Sequence, residues 1–502
     1  MTTYPSKKKS NKSKFQKITK VINPFIAFRF LAEFTSRAST LITFPLLVKY
    51  LGTESYGVNT QANTIVGFLI PIATLGLGFG VVRIVAGNQR REDISSRLHT
   101  SLAVVGIASF FLSLIVYFLA PTLNDLLIRV EWAPEIIRWS APLVFLTAIE
   151  LTIKDYYRAR LRIIAYSVFQ ILQTVTYVCG VTIVLINGGK LLQVIWLWLI
   201  IRIIFNIATF IYLIVIKEIF LFPSFMSKAD FFDLLKFGFP IVIGGLRTWI
   251  TNMGDRWVIG YFLTIDDVAV YNAAYTLAGI LAALAAPFWN PLYPLMSTSL
   301  NNKDMNAVFH STRKYTNGFT IISLPAMAGL IVLCNPLLVI FGSTDFSINP
   351  LTFTFIIFGL FLDQFSASLH YLVYLHNEPI FMRNIVLISG FANVSLNISL
   401  VPIIGISGAA LATFLTYILF DLLLYKRVMS YGIKITDIYD LKNTFKYSVS
   451  SLVMAIAIYV LLPWLNPTLS SLILFTISGV LLYCLSLLVF YNFDVKKLIN
   501  SI

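Results

Sequence analysis

Charge is scarce in this 502-residue chain: Asp, Glu, Lys and Arg together make up 12%, against 58% hydrophobic residues and a mean hydropathy of +0.81. A soluble globular domain carries roughly 25% charged residues, so most of this chain is expected to lie within a membrane. Cysteine is rare too. Cys179, Cys334 and Cys484 all fall in apolar runs, which excludes a disulfide framework and makes them packing residues. The four histidines, His99, His310, His370 and His376, lack zinc-ligand spacing, so no metal site is expected. Gly52 to Gly57 has the glycine spacing of a phosphate loop, but Val58 and Asn59 stand where Lys and Ser/Thr are required. No ATPase motif is therefore present. Long polar loops are also missing, since the longest inner connections, near 217–235 and 429–442, reach only about twenty residues. That leaves no room for a loop-borne catalytic domain with its acid and base.

What the chain has in abundance is apolar runs long enough to cross ~30 Å of hydrocarbon. Six form a first group: Val21–Tyr50, Tyr56–Ala86, Leu98–Pro121, Ile136–Tyr157, Ile164–Asn187 and Lys190–Ile216. A second six are Lys236–Leu263, Val268–Leu300, Arg313–Phe341, Pro350–His376, Pro379–Val401 and Gly405–Val428, and Asn443–Trp464 and Thr468–Tyr491 follow. The predicted fold is an all-α polytopic membrane protein of about fourteen spans. Its expected organisation is a basic tail (1–20), an N-lobe (21–217), a linker (218–235), a C-lobe (236–430), a loop (431–442), two further spans (443–492) and a tail (493–502).

The formal charge of +15 would suggest nucleic acid in a soluble protein; here its distribution gives a topology. With an inner amino terminus and residues near span ends assigned to the adjoining loops, 28 of the 38 basic residues fall on the inner side, four on the outer side (Lys49, Arg129, Arg138, Lys190) and six within spans. Both termini are thus expected in the cytoplasm, and the span number is expected to be even. The run from Lys7 to Lys20 has no signal-peptide cleavage site before the first span and no aromatic interleaving, so it reads as a topology anchor beside anionic lipid.

Charges inside spans are the candidate functional groups, because an isolated charge is costly in hydrocarbon and must face a bundle interior or a water-filled cavity. Arg29, Glu33 and Arg37 lie four residues apart on one face of the first span. Glu33 can bridge the two arginines when no anion is present; the alternative is a purely structural charge network, and Arg29 can also snorkel to the headgroups. Arg37 and Arg247 lie deep in their spans and rank first, with Arg202 next, whereas Asp255 and Arg256 lie near the outer end of theirs, as a gate or a static pair. Asp363 is mid-span without a local partner, a candidate for cation coupling or for pairing across helices. Glu150 with Lys154, and Asp421 with Lys426 or Arg427, are expected to be local pairs. Gly76, Gly78 and Gly80 before Arg83 predict close packing or helix distortion, since no βαβ unit surrounds them. Lys49 to Gly57 has a counterpart in Gly260 to Tyr271 at an offset near 211, which also brings Arg37 close to Arg247. Such internal symmetry places transporter sites near the bilayer midplane.

At these residues the chain resembles the polysaccharide flippases of the multidrug/oligosaccharidyl-lipid/polysaccharide exporter superfamily. The marks are Phe44-Pro45, Tyr50-Leu51-Gly52, Tyr56-Gly57 and Leu75-Gly76-Leu77-Gly78 ending in Arg83, then Gly238-Phe239-Pro240, Asp255 to Gly260 and Val270 to Ala274, and finally Pro402 to Thr413. The resemblance implies two six-helix lobes around a central cavity, two extra carboxyl-terminal helices, alternating access, and polyprenyl-diphosphate-linked sugars as substrates in the cell membrane. It implies no enzymatic activity and no cofactor, with coupling to H+ or Na+ left open. A diphosphate and many hydroxyls cross hydrocarbon only at large desolvation cost, and arginine's planar fork suits phosphate oxygens. The expected substrate-binding residues are therefore Arg37, Arg247, Arg29 and Arg202, and the coupling or gating residues Glu33, Asp363, Asp255 and Arg256. Rival readings are a peptidoglycan lipid-precursor flippase, a cation-coupled multidrug exporter, a membrane polymerase or glycosyltransferase, and a scaffold without transport. Polymerase and export proteins of a polysaccharide locus are the expected protein partners.

Overall fold

In the computed structural model, which describes residues 8–78, 91–222, 225–464 and 468–491, no strand occurs among the described residues. Continuous apolar sequence leaves the backbone no other way of pairing its N–H and C=O groups in lipid. Eleven helices among the described residues are long and apolar enough to cross a membrane, from Arg91–Leu127 to Ser470–Phe490, and each coincides with one predicted span. The first two predicted spans are merged in Lys8–Thr74, and the seventh lies in Lys228–Phe262. Residues 79–90, with Gly80 and Arg83, lie outside the described residues. The chain is a multi-pass all-α membrane protein.

Helix boundaries follow local chemistry. Lys8–Thr74 runs through Pro45 and breaks at Gly52, whose φ of 80° suits only glycine. Two hundred and eleven residues on, Phe262 ends one helix and Thr264 caps the next, its hydroxyl accepting from the Asp267 amide, so both members of the sequence repeat fall at a helix break. Proline opens Pro142–Ala159, Pro350–Phe365 and Pro379–Ile404, where its missing N–H costs nothing. Pro121, expected to end a span, instead lies inside Arg91–Leu127. Gly405, at φ 63°, ends the Pro379–Ile404 helix beyond the expected Val401.

The chain forms two compact units that divide it near its middle, except that two short segments of the first half belong to the second unit. Unit 1 is Met1–Leu46, Ile65–Asn124 and Val130–Leu246; unit 2 is Leu47–Thr64, Asp125–Arg129 and Arg247–Ile502. In unit 1, Tyr156, Tyr157, Leu98 and Leu213 form a sealed core, and the Tyr157 hydroxyl donates to the Thr209 carbonyl at 2.8 Å. The helix break at Leu75 (φ 50°) and Gly76 (φ 65°) brings that backbone against Gly238, and Gly78 makes room for the Asp155 carboxylate. These are the close approach and distortion expected of the Gly76–Gly78 stretch. In unit 2, Gln61 stitches the early segment to the late one by donating to the carbonyls of Arg256 (2.9 Å) and Leu127 (3.2 Å). Asn272 donates to the Tyr56 hydroxyl at 2.9 Å.

Candidate substrate-binding site

Unit 1 carries a polar seam built from four helices. On the first, Arg29 donates to Glu33 at 3.0 Å, the expected four-residue bridge, and its other terminal nitrogen donates to Gln170 at 3.2 Å. Two turns further along the same stripe, Arg37 is exposed and joins no ion pair among the described residues. Gln170 belongs to Ile163–Ile186, on which Tyr166, Gln170, Gln173 and Tyr177 share one face. Gln173 reaches the Glu150 carboxylate at 3.5 Å. Glu150 in turn receives Arg202 Nη1 at 2.6 Å, and the same nitrogen donates to the Thr147 hydroxyl at 2.9 Å. The Arg202 guanidinium lies 4.4 Å from the Trp198 ring, which itself packs on Tyr177 at 4.3 Å.

This corrects one expectation: the close partner of Glu150 is Arg202 rather than Lys154, because the side chains of Leu191–Val215 reach across to it. Lys154 is half-buried, within electrostatic reach of Arg29, Glu33, Glu150 and Asp155, with its Nζ 5.8 Å from the Tyr166 ring. At the end of the same unit, Glu218 accepts from Arg160 and Arg162, each at 2.9 Å. Burial alone would raise the Glu218 carboxyl, but the hydrogen bonds from Arg162 and Arg160 outweigh it and hold it below the usual carboxylate range.

Unit 2 holds the other sequence candidates. Asp255 and Arg256 are sealed, each 1% exposed in its side chain, with Arg256 Nη1 on Asp255 at 2.6 Å and on the Asn252 carbonyl at 2.7 Å. The Tyr271 hydroxyl donates to the other Asp255 oxygen at 2.7 Å, and the Tyr275 ring lies 4.2 Å from the guanidinium. Asp363 accepts from the Gln364 amide at 2.7 Å and enters no ion pair among the described residues. Asp421 joins no ion pair with Lys426 or Arg427 among the described residues; Arg427 is instead drawn to Glu378 in a bidentate pair. The Arg247 side chain lies outside the described residues.

Residues 26–300 match the profile described as "Polysaccharide biosynthesis protein". The chain belongs to this polysaccharide biosynthesis protein family. Among curated proteins it is similar to a probable low-salt glycan biosynthesis flippase, Agl15, of Haloferax volcanii, 24% identical over 39% of this chain and 41% of that protein. It is also similar to a probable flippase, AglR, of the same organism, 19% identical over 41% of this chain and 43% of that protein. The chain thus spans about two fifths of the length of these relatives. In fold it is similar to the lipid II flippase MurJ in an inward closed conformation, with a TM-score of 0.75, 18% identity, and coverage of 94% of this chain and 100% of that one. An inward-facing multidrug resistance transporter of the MATE family gives a TM-score of 0.65 at 15% identity, covering 78% and 95%.

The family match takes in Arg29, Glu33, Arg37, Arg202, Asp255 and Arg256, and leaves Asp363 beyond it. Sequence reasoning on the family member found the arginines of the seam but missed Gln170, Gln173, Glu150 and Trp198 as their partners. A signal was available: polar and aromatic residues recur at helical spacing through the otherwise apolar 163–186. An intramembrane polar stripe of that kind marks a buried face.

Proposed function

We propose that this family member is a flippase that carries a polyprenyl-diphosphate-linked oligosaccharide from the inner to the outer leaflet of the cell membrane by alternating access. The observation that carries this reading is the seam of unit 1, where Arg29, Arg37, Lys154 and Arg202 outnumber Glu33, Glu150 and Asp155 inside a helical bundle built for lipid. Arginine there lowers the desolvation cost of a diphosphate while the polyprenyl tail stays in hydrocarbon. Arg247, near the repeat-related position of Arg37, is the matching cation of the second half. Glu33 and Asp363 are the candidates for proton or sodium coupling. The buried contacts of Asp255 and Arg256 support a structural anchor more than a gate.

Family membership and the similarity to glycan biosynthesis flippases favour a glycan-bearing substrate over a small drug. The expected topology puts both termini in the cytoplasm, and polymerase and export proteins of the same locus are the natural partners. The test is reconstitution of the purified chain into vesicles with a fluorescently labelled polyprenyl-diphosphate sugar. Intact substrate is expected to become accessible on the opposite leaflet. A chemically altered product, or no relocation beyond protein-free vesicles, overturns the reading.

A further inference from the structure

We infer that the linker after the sixth span is a membrane-surface anchor: Leu221, Phe222 and Phe225 enter the headgroup layer of the adjoining leaflet, and Arg158, Arg162 and Lys217 receive its anionic phospholipids. The stretch Ile219-Phe220-Leu221-Phe222 is apolar although it follows the end of a span-length helix at Val215. Leu191–Val215 has 25 residues, roughly 37 Å at ~1.5 Å per residue, and so already outreaches ~30 Å of hydrocarbon. The linker therefore starts at headgroup depth.

Its backbone is clipped to unit 1 while its large apolar side chains stay outside. Arg91 Nη2 donates to the Ile219 carbonyl at 2.6 Å, the Phe220 amide donates to the Ser95 hydroxyl at 3.1 Å, and the Met226 amide donates to the Thr100 hydroxyl at 2.9 Å. Ile219 is sealed in the core that holds Tyr156 and Tyr157, and Glu218 is tied to Arg160 and Arg162. Held in this way, Phe222 is 80% exposed and Leu221 and Phe225 63% each. In water their burial would go unrealised; in lipid it is recovered.

Continuity and charge specify a lipid surface as the occupant. On the preceding helix, Ile200, Ile204, Ile207, Ile211 and Val215 recur at helical spacing and are all at least half exposed, so a lipid-facing stripe leads down to the linker. Leu161, 71% exposed, stands between Arg160 and Arg162 in the turn that Glu218 ties to the linker. Arg158 and Arg162 leave nearly half of their side chains in the open, and Lys217 is exposed and enters no ion pair among the described residues. At this end of unit 1 the described cations Arg91, Arg97, Arg158, Arg160, Arg162 and Lys217 outnumber the carboxylates Glu92, Asp93, Asp155 and Glu218. An apolar tip flanked by excess positive charge matches an anionic leaflet.

The experiment places a nitroxide at Phe222→Cys in the full-length chain, with the exposed Cys179 and Cys484 changed to alanine and the buried Cys334 kept. The protein is held in nanodiscs of phosphatidylcholine mixed equally with phosphatidylglycerol. Power-saturation spectra are expected to show this label relaxed by oxygen, which partitions into lipid, several-fold more than by a water-soluble nickel chelate; a label at Asn302→Cys, in an exposed polar loop, is expected to show the reverse. In native mass spectrometry the wild-type chain is expected to retain phosphatidylglycerol over phosphatidylcholine. Arg158→Gln and Lys217→Gln are each expected to cut that preference about fivefold. A Phe222→Cys label relaxed chiefly by nickel, or shielded from both agents as under a second copy or a partner protein, overturns the inference. So does a wild-type chain without lipid preference, or a preference unchanged when both cations are removed.

Discussion

A charged side chain within a membrane helix is informed less by its own identity than by what neutralises it. Arg37 is exposed on the first helix and meets no carboxylate among the described residues, while Arg256 is enclosed by Asp255, two tyrosine rings and a backbone carbonyl. Opposite mutational outcomes follow. Arg37→Gln is expected to cut flipping of a labelled polyprenyl-diphosphate sugar by about ten- to a hundredfold, the worth of one charge-assisted phosphate contact, with the unfolding temperature unchanged. Arg256→Gln strands Asp255 in a dry core and is expected to cost about 3–5 kcal/mol of stability, read as a lower unfolding temperature in detergent. A soluble, thermally normal Arg256→Gln protein would contradict the anchoring role. Sequence alone named both arginines as site candidates, Arg37 for substrate binding and Arg256 for a gate or a static pair, but could not say what neutralises either, because helical spacing reports the face a residue occupies and not the neighbours that face meets.

Helix breaks and helix ends set where those faces lie. Gly52 and Gly76 both have positive φ, but a methyl group at Gly52 would meet open space, whereas one at Gly76 would stand 2.1 Å from the Gly238 carbonyl oxygen. Gly52→Ala is therefore expected to cost about 1 kcal/mol from backbone strain. Gly76→Ala also forces two backbones apart and is expected to cost more than ~3 kcal/mol, visible as loss of monodisperse protein on size exclusion. At the end of unit 1, Glu218 holds the loop between two helices through Arg160 and Arg162. Because its carboxyl is depressed in the folded chain, the stabilisation is present above the ordinary carboxylate pKa and is lost as pH falls through the depressed value. The unfolding temperature is thus expected to drop as acid is added below about pH 4, and Glu218→Gln to shallow that drop. These ends were only partly legible beforehand: Pro350 and Pro379 announced helix starts, but Pro121 continued a helix it was expected to stop, since membrane helices tolerate proline where neighbours satisfy the freed carbonyl.

For the whole molecule, the proposed transport moves a negative headgroup outward, and an inside-negative potential favours this by ~2.3 kcal/mol per charge per 100 mV. Vesicles with an imposed inside-negative potential are expected to accumulate more labelled substrate in the outer leaflet than depolarised ones. Equal distributions under both conditions would point instead to charge-compensated exchange with a cation, with Glu33 and Asp363 the first residues to vary.

Hydropathy by itself determined that the chain is a many-spanned helical membrane protein, because a bilayer imposes span length and full backbone pairing on any sequence that enters it. It also determined which charges lie within spans, since each one interrupts an apolar run. Beyond the Arg29–Glu33 bridge that four-residue spacing announces, only tertiary structure decided which of those charges are matched. Arg202 meets Glu150, Arg427 meets Glu378, and Gln61 joins residues nearly two hundred positions apart. Such pairings depend on the rotation and depth of neighbouring helices, and no single helix's residue spacing encodes either.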